Sequence, residues 1–172
     1  MALDLLADRI GARFTRHKTN TQLAEGRLGP GLPKLVLVKP QSFMNLSGGP
    51  VSSAAKFFGL GADRVIVLHD ELDIPFDTVK LKVGGGNGGH NGLRDIIAAQ
   101  GDGFWRLRIG VGHPGTAKEV VDFVLTHAGK DEQRAIDESL WAGADAIEEA
   151  LRADAQIAMN KLHARPKADA SK

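Results

Sequence analysis

Between Gly84 and Gly92 the chain reads GGGNGGHNG, so five glycines flank Asn87 and the run ends on His90, Asn91 and Gly92. Glycine reaches backbone conformations with positive φ at no steric cost, and a segment this rich in it lets the main chain come close to a ligand. Imidazole and carboxamide groups both donate and accept hydrogen bonds. Clustered on such a loop, they suit the holding of an ester or a water molecule. A helix that starts just after the loop aims free N–H groups and the positive end of its dipole at the same ligand, favouring a phosphate or a developing oxyanion. Two blander readings compete: a tight strand-to-helix connection, which needs about one or two glycines, and for His90 a satisfied structural histidine. Gly84, Gly86 and Gly89 also meet the G-x-G-x-x-G spacing of a dinucleotide site. That signal is weak, because the preceding segment carries Lys80 and Lys82 and no second strand-helix-strand half is evident.

Two further groups carry chemistry. In HDELDIP, from His69 to Pro75, Asp70 stands at the carboxyl end of an apolar, β-branched run, where ligands of open α/β sheets bind. A metal held by His69, Asp70, Glu71 and Asp73 is disfavoured, since neighbours along a strand point to opposite faces. There is no cysteine, which excludes disulfides, thiolate metal sites and thiol nucleophiles. In KPQSFMNLSG, from Lys39 to Gly48, Ser47 fits the N-cap of a following helix. Asn45 has no such role and again follows a strand end. Phe43 and Met44 read as core or rim rather than as a platform for stacking bases.

The elements that must position these groups follow from periodicity. Leu3, Leu5, Leu6 and Ile10 give a helical stripe closing near Gly11. A strand over Thr21 to Arg27 is expected to pair, through the Gly29-Pro30-Gly31 turn, with a buried strand between Pro33 and Pro40. Helices are predicted over Ser47 to Phe58, His90 to Gln100, Ala117 to Thr126 and most of Lys130 to His163. Strands are predicted over Arg64 to Asp70, Thr78 to Val83 and Trp105 to Val111. Within Thr78 to Val83, Val79, Leu81 and Val83 alternate inward and Lys80 and Lys82 outward.

Strands alternating with helices imply an α/β protein with a central sheet flanked by helices. The expected organisation is one domain over residues 1–165 and a disordered tail over 166–172. Apolar residues make up 42% and charged residues 25%, the usage of a folded globular protein. No run is long and apolar enough to span a membrane and no secretory leader is present, so a cytoplasmic protein is expected. Net charge is only +1, against a nonspecific nucleic-acid binder. The charge is uneven: acidic from Lys130 to Ala150, basic from Arg152 to the end.

Together, Lys39 to Gly48, His69 to Pro75, Gly84 to Asp95 (GGGNGGHNGLRD) and Arg106 to Gly115 (RLRIGVGHPG) resemble the signature segments of the bacterial peptidyl-tRNA hydrolases, in that family's order and spacing. The resemblance runs from about Ala2 to His163. It implies a three-layer α/β fold with a mixed sheet, and hydrolysis of the ester joining a nascent peptide to its tRNA, by a monomer without metal or organic cofactor. Carried over by motif, Asn45 would hold the peptide and orient water, with Phe43 and Met44 beside it. Asn91 would contact substrate and support an oxyanion, and His90 would shape a gate over the peptide channel. Asp70 would orient and polarise the catalytic histidine, and Lys80, Lys82 and Arg108 would meet tRNA phosphates. Outward Lys and Arg on neighbouring strands agree with such a phosphate footprint.

The resemblance has a gap. The family's opening strand ending in Gly-x-Gly-Asn-Pro-Gly, and the Thr-Arg-His-Asn-x-Gly that supplies the general base, are not found. The expectation is a chain lacking that first strand and nearly inactive as it stands, since general-base activation of water is worth ~10²–10⁴-fold. Thr15-Arg16-His17-Lys18 imitates the second motif, but it follows the first helix and has Lys18 in place of the asparagine, so the catalytic role is not transferred to His17. A noncatalytic RNA-binding relative of the same fold is the alternative.

Overall fold

A computed structural model of the chain describes residues 1–112 and 129–164. The predicted helix over Ala117 to Thr126, the His113 to Gly115 end of the fourth motif and the tail over 166–172 lie outside the described residues. Helix α1 (Ala2–Arg9) buries Leu6 and Ala7, and the chain leaves it through Gly11 at φ 64. Three antiparallel strands follow: β1 (Thr15–His17), β2 (Thr21–Gly26) and β3 (Leu35–Pro40), in that spatial order. As the turn residues predict, β2 and β3 form a hairpin, with Thr21 opposite Pro40 and Gly26 opposite Leu35. A Cβ at Gly26 would lie 2.9 Å from that of Ile10, so this glycine lets the end of α1 rest on the hairpin. Unlike the strand expected to be buried throughout, β3 fully buries only Leu37. β1 was not foreseen; three residues are too few to show a period.

Helix α2 (Gly48–Phe57) comes after a 3-10 turn over Met44–Leu46. Next come β4 (Ile66–Glu71), β5 (Val79–Val83), α3 (Asn91–Gln100) and β6 (Trp105–Gly110), with the strands ordered β4-β6-β5. Hydrogen bonds from Trp105 N to Val65 O and from Val111 N to Glu71 O advance together, so β4 runs parallel to β6. Those from Gly84 N to Phe104 O and from Gly110 N to Thr78 O run oppositely, so β5 is antiparallel to β6. The fold is therefore mixed α/β, its described strands making two three-stranded sheets where one central sheet was expected.

The chain divides into two compact units. One holds Leu3–Val67 and Val83–Trp105; the other holds Leu68–Lys82 and the described residues from Arg106 onward. In the first, Leu93 and Ile96 of α3 pack around the fully buried Phe104, against Val51, Ala62, Val65, Val67 and Ile97. In the second, α4 (Lys130–Arg152) lies so close to β6 that a Cβ at Gly143 would come within 2.6 Å of Leu107 Cδ2. The helix expected from Lys130 to His163 breaks at Ala153 and restarts as α5 (Ala155–His163), where Asp154 Oδ1 accepts from Gln156 N at 2.7 Å. An aspartate is a good N-cap and ends the continuous reading of the apolar stripe.

Candidate active site

The glycine run has a conformational cause. Gly84, Gly85, Gly88 and Gly89 all have φ between 55 and 96°, a region that side-chain-bearing residues avoid. Asn87 holds the loop's shape, its Oδ1 accepting from Gly89 N at 2.9 Å and its carbonyl oxygen from His90 N at 2.9 Å. His90 is the N-cap of α3: its Nδ1 accepts from Leu93 N at 3.2 Å, which assigns the ring proton of the neutral form to Nε2. The structural reading of His90 is thus correct for one ring nitrogen. Asn91 is the first residue of the helix, and its side chain is exposed.

The turn that carries Asn45 packs against the start of α3. A Cβ at Gly92 would lie 2.8 Å from Met44 Sδ and 3.1 Å from Met44 O. A Cβ at Gly48 would lie 2.2 Å from Asp95 O, closer than any real contact. Ser47, expected to cap α2, does not; its hydroxyl donates instead to Met44 O at 2.7 Å. The helix is served from α3, where Asp95 Oδ2 accepts from Gly48 N at 2.6 Å. Nothing in the local sequence signals that bond, because its partners are 47 residues apart. Phe43, Met44 and Asn45 are exposed, Phe43 at 82%, which places Phe43 and Met44 at the rim and outside the core.

The remaining predicted residues belong to the second unit. Asp70 is half-buried, one residue from the end of β4. Its carbonyl oxygen accepts from Nδ1 of the buried His69 at 2.7 Å. Lys80 and Lys82 are exposed on β5, as their alternation predicts, although Val83, expected inward, is exposed. Arg108 is half-buried and its Nε donates to Glu71 Oε2 at 2.9 Å, so part of its charge is already matched within the protein. Burial alone would push Glu71 up. The bonds from Arg108 and from Asp73 N, with the Arg108 charge, outweigh it and hold the carboxyl below its ordinary value.

His17 sits on β1 with its ring 4.6 Å edge-on from Phe57 and its Nδ1 2.9 Å from Thr19 Oγ1. It is part of an aromatic cluster with Phe57 and Phe58. His163, which sequence reasoning passed over, accepts through Nε2 from Leu81 N at 3.2 Å. Burial and then the Lys80 charge hold its pKa below the ordinary histidine value. The dinucleotide reading fails on topology. That motif needs two parallel strands joined by the helix, whereas β5 and β6, on either side of α3, are antiparallel.

Fold and site together define a mixed α/β protein whose glycine-rich loop presents carboxamides and a histidine at a helix start. The peptidyl-tRNA hydrolase family profile matches residues 1–170, and the chain belongs to that family. It is 49% identical over 164 residues to a peptidyl-tRNA hydrolase of Pseudarthrobacter chlorophenolicus, covering 95% of this chain and 84% of the relative. With the enzyme of Renibacterium salmoninarum the identity is 50%, over 95% of this chain and 85% of the relative. The crystal structure of peptidyl-tRNA hydrolase from Acinetobacter baumannii superposes with a TM-score of 0.90 at 34% identity, over 97% of this chain and 85% of that one.

Proposed function

We propose that the chain hydrolyses the ester between a nascent peptide and its tRNA, releasing the peptide and recycling the tRNA, as a cytoplasmic monomer without metal or organic cofactor. Residues 1–165 act as one catalytic domain. The observation that carries the reading is the packing of the Asn45 turn on the start of α3, which brings two exposed carboxamide residues onto adjoining segments of one unit. Asn45 holds the peptide and orients water, with Phe43 and Met44 as an apolar rim for the peptide. Asn91 donates to the carbonyl oxygen as negative charge develops there, and an amide donor held in that position is worth more than in water. His90 borders the peptide channel through its Nε2 edge. Asp70 is the residue that would orient and polarise a catalytic histidine, and Lys80 and Lys82, with the partly matched Arg108, meet tRNA phosphates.

The test is release of peptide from diacetyl-lysyl-tRNA under single-turnover conditions. Asn91→Ala is expected to lower the rate by about 10²-fold or more, in line with the loss of an oxyanion donor. Tight, salt-dependent binding of the tRNA with no release by the unmodified chain would instead identify a noncatalytic RNA-binding relative.

A further inference from the structure

Of the contacts described, the bond from Gly48 N to Asp95 Oδ2 has no part in the proposed chemistry, and it does more than cap a helix. α2 begins with the N–H groups of Gly48 and Gly49 left over by its own turns, Pro50 having none, and its local candidate, Ser47, is turned away to Met44 O. The half-buried Asp95 carboxylate, one turn into α3, takes up the first of them at 2.6 Å. Bonds from ionised acceptors to backbone N–H are short and strong. At the same place the backbones meet with no room for a side chain at Gly48, and a Cβ at Gly92 would crowd Met44 and the His90 ring. Asn45 follows Met44 and stands three residues before Gly48; Asn91 immediately precedes Gly92. Two glycines and one carboxylate therefore fasten the segment bearing one carboxamide to the helix bearing the other.

We infer that Asp95 is a positioning residue for the ester-binding carboxamides: its carboxylate, through Gly48 N, sets where Asn45 stands relative to α3. It touches no reacting atom. The inference rests on the role proposed above for Asn45, and it goes further by naming what aims that side chain.

A double-mutant cycle tests it, with peptide release from diacetyl-lysyl-tRNA and affinity for a tRNA carrying its peptide through an amide in place of the ester as separate readouts. Asp95→Ala is expected to lower single-turnover release about ten- to a hundredfold, as misplacement of a positioned group by about 1 Å does. Asp95→Asn keeps an acceptor oxygen at the same reach and is expected to recover most of the loss. In the Asn45→Ala background, Asp95→Ala is expected to cost less than about twofold, because the group it aims is gone. Should Asp95→Ala not fold, Asp95→Asn is carried through the cycle in its place, and its smaller loss is likewise expected to vanish in the Asn45→Ala background. Equal losses in both backgrounds, in rate and in affinity, overturn the inference and leave Asp95 a structural cap while the role of Asn45 stands. An Asn45→Ala protein with unchanged rate and affinity removes the role of Asn45 and this positioning together.

Discussion

The two adjacent glycines at the start of α2 separate local from tertiary cause. Alanine is favoured over glycine in a helix by ~0.5–1 kcal/mol. At Gly49 a Cβ would meet nothing within 4 Å beyond its chain neighbours, but Pro50 follows and disfavours the helical region for a Cβ-bearing residue before it, so the two effects oppose and the urea midpoint of Gly49→Ala should change little. At Gly48 the same added methyl would strike the Asp95 carbonyl at 2.2 Å. Relief requires α2 to retreat from α3, so Gly48→Ala should lose about 1–3 kcal/mol despite its better propensity. Equal midpoints for the two variants would mean that the helices are not pressed together as described. The same site shows what a sequence conveys at this scale. Asn45 and Asn91 stood out because neither had a structural duty to explain it. Ser47 misled because a serine before a helix so often caps it, and the carboxylate that displaced it is distant in sequence. His90 offered two roles for one residue, and only the bond from Leu93 N shows that one ring nitrogen is committed to the helix.

Elements were more legible than their joints. The helices at Ala2–Arg9, Gly48–Phe57 and Asn91–Gln100, and the hairpin of β2 and β3, follow from periodicity and turn residues, which are local. The interruption at Asp154 was hidden inside an apolar stripe that α4 and α5 share. The direction of β5 was also beyond local reading, because pairing is a long-range choice. Among the described strands β5 ends its sheet, and an edge strand leaves backbone N–H groups without a ladder partner. His163 of α5 meets one of them, the N–H of Leu81, and can do so only while Nε2 is unprotonated. Its pKa is lowered in the fold, so the neutral form is the one that folding favours. The resulting stability is complete above the ordinary histidine value and is lost as pH falls through the lowered one. The unfolding midpoint should therefore drop between about pH 7 and 5 by more than it does in His163→Gln, which has an acceptor that does not titrate. Identical pH profiles would show that the α5 clamp does not sense protons.

For the whole molecule, a net charge of +1 gives no general attraction to RNA, so binding must depend on where a few cations stand. The acidic stretch from Lys130 to Ala150 now has a place, as helix α4 of the second unit, and the same unit carries Lys80 and Lys82 exposed on β5. Arg108 faces Glu71 at 2.9 Å, so an arriving phosphate must compete with a carboxylate for it. The two lysines should then contribute more to the salt dependence of tRNA binding than the arginine does. Each phosphate contact removed lowers the slope of log K against log salt by ~0.7–0.9. Lys80→Ala with Lys82→Ala should reduce it by roughly 1.4–1.8, whereas Arg108→Ala should change it by less than one lysine does. Removing Arg108 also leaves Glu71 half-buried without its ion pair, so Arg108→Ala should cost stability where the lysine variants do not. A full-sized slope change from Arg108→Ala would mean that the Glu71 pair opens to receive phosphate, and that arginine rather than β5 anchors the tRNA.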